Sequence, residues 1–327
     1  MSYEPEVLRR ASERLKERQR LRIDALDTRK ALIYHQLPRV QEIDRQLRLG
    51  VAQAATAALR QGMDPSPAIQ ALRSQSKTLQ EERRTLLAQA GYTEDALTDK
   101  PQCDRCRDTG WCGSAMCTCL QTLCAEEQIR SLSSLLDFQG QSFDAFQLDY
   151  YSAVPGPSGI SPRSHMEMVR DICYNYANRF GHSGVHNLFL SGTPGLGKTF
   201  LSACIARVVS ERGFSVVYDT AIHIFSCFEA EKFGREEPGF TRRYLKCDLL
   251  ILDDLGSELT TPFIQSVLYQ VINTRLITGK HTVISSNLSQ REVSLRYSAQ
   301  AASRIAGEYR LLEFWGEDIR KLKNQSL

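Results

Sequence analysis

Gly192-Thr193-Pro194-Gly195-Leu196-Gly197-Lys198-Thr199 follows the apolar run Val185 to Leu190 and precedes a helical pattern that lasts to about Gly213. Every required position of G-x-x-x-x-G-K-[ST] is filled. Glycines at these places let backbone N–H groups wrap phosphate oxygens, and the following helix turns its positive N-terminus toward them. In such a loop Lys198 reaches the β- and γ-phosphates, and the Thr199 hydroxyl is a magnesium ligand. The stretch predicts a nucleoside triphosphate site, with ATP and Mg2+ as the expected ligands.

Working outward, Ser215–Tyr218, Asp248–Leu252 and His281–Ser285 are three further apolar runs separated by helical patterns. Strands alternating with helices predict an α/β fold, a parallel sheet covered on both faces. The third strand ends in Asp253 and Asp254. Asp253 is placed to hold magnesium, and Asp254 to polarise the attacking water as general base. Asn287 ends the next strand, where a polar side chain can orient that water. Taken alone, it reads equally well as a turn asparagine.

The N-terminal third has a different character. Residues Val7 to about Gln61 are rich in helix formers, and Ile33, Leu37, Val40, Ile43 and Leu47 draw one apolar stripe. Pro38 predicts that the helix kinks or restarts there. Gly62 to Pro67 predicts a break, with Ser66 as N-cap and Pro67 at the first helical position. Ile69, Leu72, Leu79 and Leu86 form a second stripe that Gly91 ends. Residues 1–97 are therefore expected to form a helical hairpin or short coiled coil, suited to partner docking or self-association.

Of ten cysteines, six lie between Cys103 and Cys124. Cys103-x-x-Cys106 and Cys117-x-Cys119 supply four thiolates for a structural zinc site. Cys112 and Cys124 remain possible exchanges, and an iron–sulfur cluster is the rival metal; the short pairs favour zinc. Residues 98–135 are assigned to this segment, and the scattered Cys173, Cys204, Cys227 and Cys247 to the core. The stretch Val154 to Gly159 reads as a surface loop. A length of 327 residues, 42% hydrophobic and 24% charged, suits a globular protein of two domains. No apolar run approaches the ~20 residues of a membrane helix. No signal region opens the chain, so a cytoplasmic protein without membrane contact is expected. The net charge of +3 neither requires nor excludes a nucleic-acid partner.

Together GTPGLGKT, LLILDDLG, the strand ending ISSN, Ser303-Arg304-Ile305 and the Phe314–Arg320 stretch FWGEDIR resemble the AAA+ ATPases. Within them the likeness is to bacterial replicative-helicase loaders of the DnaC/DnaI type. It covers about residues 136–327 and implies a P-loop AAA+ core there. The resemblance implies that Arg304 is an arginine finger reaching a neighbour's ATP, and that Arg320 is a second sensor arginine beside the chain's own nucleotide. Relatives often carry Glu-Arg where this chain has Ala299-Gln300, which leaves Arg304 without that supporting arginine. The family further implies slow ATPase activity dependent on assembly or DNA, and self-association of the ATPase domain. It also implies single-stranded DNA as a ligand, and a hexameric replicative helicase gripped by the N-terminal arm. Lys232, Phe233, Arg235, Arg242, Arg243 and Tyr244 could track such DNA's phosphates and stack on its bases, and they read equally well as a solvated loop near Gly234 and Gly239. An ATPase helper of a transposase shares the same core, and a nucleotide-binding adaptor without significant turnover is a third reading.

Overall fold

A computed structural model of the chain describes residues 3–59, 66–132, 140–157, 159–182 and 184–325. It falls into two compact units, Arg14–Cys112 and Met1–Glu13 with Gly113–Leu327. The sequence reading placed boundaries after residues 97 and 135 instead.

Helix α1 (Pro5–Gln36) enters the first unit at Arg14 and stops one residue short of α2 (Pro38–Leu59), and α3 is Ser66–Gln89. Pro38 lacks an N–H and starts α2, where none is needed. Ile33, Val40 and Ile43 are fully buried, as their spacing predicts, while Leu37 and Leu47 are half-buried. On α3 the buried positions are Leu79 and Leu87, with Leu86 half-buried beside them. Ile33, Val40, Leu87 and Leu97 form a small core of their own. A polar clamp joins the helices: Arg83 lies 2.8 Å from Asp44, which also accepts from the Tyr34 hydroxyl at 2.7 Å. Gly91 follows α3 at φ +79°, a backbone shape that suits glycine. The expected break after Gln61 lies outside the described residues, as do the side chains of Ser66, Pro67 and Ile69.

The other elements are the two-residue strands β1 (Trp111–Cys112) and β2 (Ala115–Met116), then α4 (Thr118–Leu132) and α5 (Pro162–Asn178). They continue as β3 (Leu188–Ser191), α6 (Lys198–Glu211), β4 (Val216–Thr220), α7 (Ala221–Lys232) and α8 (Arg242–Lys246). Next come β5 (Leu249–Leu255), α9 (Pro262–Ile277), β6 (His281–Ser286) and α10 (Gln290–Arg296). The last three are α11 (Ala299–Glu308), β7 (Arg310–Glu313) and α12 (Ile319–Gln325).

Five strands form one sheet in the order β4-β5-β6-β3-β7, with every neighbouring pair parallel. Alternate residues feed two cores, as strand geometry requires. Leu188, Leu190, Tyr218 and Ile251 pack with α5 and α6 on one face. Phe189, Val217, Leu250 and Leu252 pack with α7, α9 and α11 on the other. From β3 the chain crosses to the far edge at β4, then returns through β5 and β6. Such a reversal opens a crevice at the carboxyl ends of the strands.

Residues that precede position 136 also belong to this unit, for physical reasons. The Tyr3 hydroxyl donates to the Gly213 carbonyl at 2.7 Å, and Val7 and Ala11 are buried. From α4, Gln128 covers the edge strand. Its amide oxygen accepts the Val216 N–H at 2.9 Å, and its nitrogen donates to Ser210 Oγ and the Phe214 carbonyl. Among the described residues no helix is long and apolar enough to cross a membrane.

Candidate nucleotide and metal sites

The phosphate loop joins the end of β3 to the start of α6. Gly195 and Gly197 sit at φ +82° and +87°. A Cβ on Gly195 would run into the Asp318 carboxylate, and the positive φ there already favours glycine. Tyr151 fixes the loop from below by donating to the Leu196 carbonyl at 2.9 Å. The Lys198 ammonium is buried and lies 2.5 Å from the Gly192 carbonyl and 2.9 Å from that of Thr193. Burial lowers its pKa, while Asp254 and Asp253 pull in the opposite direction.

Asp253 enters from β5, two strands away, because β5 and β3 both flank β6. The Thr199 hydroxyl donates to its carboxylate at 3.1 Å, Tyr218 donates at 2.7 Å, and Ser285 donates to the other oxygen. A hydroxyl and a carboxylate side by side are the hard oxygen donors that magnesium takes. Asp254 is exposed at φ +58°, an uncommon backbone state for a residue other than glycine, which turns its carboxylate off the strand. Its N–H is held by Ser285 Oγ at 2.9 Å.

A cleft of about 870 Å³ brings these groups together. Pro194 to Thr199, Asp253, Asp254, Asn287 and Arg320 all line it, and Phe146 and Tyr150 form an aromatic side wall. Gly192 and Thr193 complete the loop through their carbonyls on Lys198. Arg304 does not line this cleft; it is exposed on α11.

The basic and aromatic group divides. Tyr244 is fully buried, and its hydroxyl donates to Asp219 at 2.9 Å, so it cannot stack on a base. Arg243 is half-buried, donates to the Tyr244 hydroxyl at 2.6 Å and lies over the Phe240 ring. These two are packing residues, neither part of a solvated loop nor free to meet DNA. Lys232, Phe233, Arg235 and Arg242 are exposed.

The sulfurs of Cys103, Cys106, Cys117 and Cys119 all lie within 4.8 Å of one another, a grouping that can hold a metal ion. Zinc–sulfur bonds of about 2.3 Å in a tetrahedron place sulfurs about 3.8 Å apart, so the set fits zinc. Neither Cys112 nor Cys124 belongs to it. Cys124 is buried on α4, which pushes its thiol up to about 11. The first pair sits on a tight turn, with Arg107 and Asp108 both at positive φ. Asp108 accepts the N–H groups of Gln102 and Cys103 at 3.0 and 2.8 Å, and Arg22 lies 2.9 Å from its carboxylate. The Gly110 N–H donates to Cys106 Sγ at 3.3 Å.

Sequence reasoning missed Tyr218, Ser285, Asp318 and the brace at Asp108. Ser285 and Asp318 stand inside quoted motifs, which was the available signal. Tyr218 becomes visible only when β4 is known to lie beside β5.

Fold and site define a P-loop nucleotide-binding domain built on a parallel sheet. Residues 182–304 match the family model described as IstB-like ATP binding protein. The uncharacterised protein YdaV of Escherichia coli is 31% identical over 108 residues, 33% of this chain and 44% of that protein. A putative ATP-binding protein in an insertion sequence, Rv3427c of Mycobacterium tuberculosis, is 30% identical over 127 residues, 39% of this chain and 49% of its own. The replicative helicase loader DnaC of Buchnera aphidicola is 25% identical over 150 residues, 45% of this chain and 61% of its own. The chain thus spans about half the length of the first two relatives. The matched stretch is similar to IstB-like ATP binding proteins and, at lower identity, to a replicative helicase loader.

Proposed function

We propose that this chain is an ATP-dependent loader of a hexameric replicative DNA helicase, acting in the cytoplasm. One observation supports the reading most: a single cleft gathers Lys198, Thr199, Asp253, Asp254, Asn287 and Arg320 but leaves Arg304 exposed outside it. A site of this kind is completed by a neighbouring copy. Backbone N–H groups of Gly192 to Thr199 hold the triphosphate, and Lys198 and Arg320 balance its charge. Thr199 and Asp253 would hold magnesium, which would neutralise phosphate charge. Asp254 takes the proton of a water that Asn287 orients toward the γ-phosphorus, and ADP departs as the bond breaks. Arg304 of a neighbouring copy stabilises the transition-state charge, so turnover is slow until copies assemble.

In this account residues 1–97 grip the helicase and a zinc ion on the four cysteines stiffens residues 98–135. Lys232, Phe233, Arg235 and Arg242 offer cations and an exposed ring to single-stranded DNA. ATP favours the assembled state and its hydrolysis weakens it, since a ligand shifts states only through differential affinity. The test is capture of the host's replicative helicase by the full chain, with ATP, with ADP and without nucleotide. Capture that responds to nucleotide supports the loader, and no capture under any condition overturns it.

The likeness to an insertion-sequence ATP-binding protein supports a second reading, an ATPase helper of a transposase. Capture of a transposase in place of the helicase would establish it. An adaptor without turnover is rejected if phosphate release disappears in Lys198→Ala and Asp254→Ala.

A further inference from the structure

Three hydroxyls converge on the Asp253 carboxylate, and only that of Thr199 belongs to the phosphate loop. The other two come from the strands on either side of β5. Tyr218 on β4 donates to Oδ2 at 2.7 Å, and Ser285 on β6 donates to Oδ1 while accepting the Asp254 N–H at 2.9 Å. All three residues are nearly inaccessible: Tyr218 is 4% exposed, Asp253 6% and Ser285 1%. The register explains the reach. Tyr218 pairs with Ile251, so Asp253 is its diagonal neighbour on the same face of the sheet, within range of a long aromatic side chain.

A buried carboxylate needs hydrogen bonds to offset lost hydration, and its plane can turn unless both oxygens are held. A small hard cation demands ligand oxygens at nearly fixed positions. Hydrogen bonds to a ligating carboxylate set that orientation. We infer that Tyr218 is a positioning residue for magnesium, holding the Asp253 carboxylate together with Ser285 so that one lone-pair direction faces the phosphate loop. The inference rests on the reading of the cleft as a magnesium–nucleotide site. It adds a link from the edge strand to the metal that no phosphate-loop motif contains.

Tyr218→Phe removes the donor and keeps the ring in the core. Binding of a fluorescent non-hydrolysable ATP analogue to the full chain is measured in EDTA and across a Mg2+ titration. In Tyr218→Phe the Mg2+ concentration for half-maximal enhancement rises about tenfold or more, the usual effect of losing a partner of a metal ligand. Affinity in EDTA stays within about twofold, which shows that the loop remains folded. Ser285→Ala shifts the Mg2+ requirement in the same direction. An unchanged Mg2+ requirement in Tyr218→Phe overturns the inference alone, and so does an equal loss of affinity with and without Mg2+. Wild-type chain that binds no nucleotide, or binds it without regard to Mg2+, overturns the site reading and the inference with it.

Discussion

His281 opens β6 beneath the nucleotide cleft and gives the unit a pH dependence that can be worked out in advance. Its ring is buried against Phe180, with centroids 4.3 Å apart, and Nδ1 lies 2.9 Å from the His186 carbonyl. That distance assigns the ring proton to Nδ1. Burial first, then the neighbouring His186, hold its pKa down at about 4. In the unfolded chain the same imidazole titrates near ~6.5. Between those values the unfolded state holds more protons, so stability rises with pH and falls on acidification. By pH 5 the loss attributable to this one ring is about 2 kcal/mol relative to pH 7.5, and it approaches about 3 kcal/mol near pH 4. His281→Asn keeps a donor for the carbonyl but cannot titrate. Urea unfolding followed by far-UV circular dichroism at pH 7.5, 6 and 5 reads the difference. The variant is less stable at pH 7.5, because the ring's packing is gone, and the gap to wild type closes by about 2 kcal/mol at pH 5. Other groups titrate in both proteins and cancel. Parallel pH profiles for the two would refute the assignment of a buried neutral His281.

Gln128→Ala leaves the Val216 N–H and the Phe214 carbonyl without their buried partner. A loss of about 2 to 4 kcal/mol in denaturant unfolding is expected at that cost per orphaned group, and a change under 0.5 kcal/mol would show that α4 does not cap the edge strand. Purified chain is expected to carry one zinc by elemental analysis, and a chelator to release it while exposing four further thiols to a thiol reagent. Cys106→Ser should lose the metal, whereas Cys112→Ser should retain it. Equal zinc content in the two variants would contradict the four-cysteine assignment.

Much of the nucleotide domain was legible because its chemistry is local. A phosphate loop needs glycines, a lysine and a threonine in one short run, and Gly192 to Thr199 shows them in order. The four expected core strands appeared as apolar runs because both sheet faces are covered. β7 escaped because it is an edge strand with one buried residue of four, so it carries no apolar run. α4 escaped because Cys119 and Cys124 drew it into the metal segment, although its buried face packs with the unit that holds the phosphate loop. The restart of the helix at Pro38 was readable from proline's missing N–H. The environment of Asp253 was not, since Tyr218 and Ser285 reach it only through the strand order β4-β5-β6. The packing of Arg243 and Tyr244 was not readable for a related reason: composition shows charge and rings, but burial decides whether they face solvent.

Subunit mixing tests most directly whether each site is completed by Arg304 from another copy, as proposed. Arg304→Ala keeps its own cleft but offers no finger, and Asp254→Asn keeps its finger but has no base. Each variant alone should hydrolyse ATP at no more than about a thousandth of the assembled wild-type rate. A mixture should recover a substantial fraction of that rate, because Arg304 of one variant then serves the intact cleft of the other. A mixture no more active than its components, or an Arg304→Ala chain as active as wild type, would contradict the account.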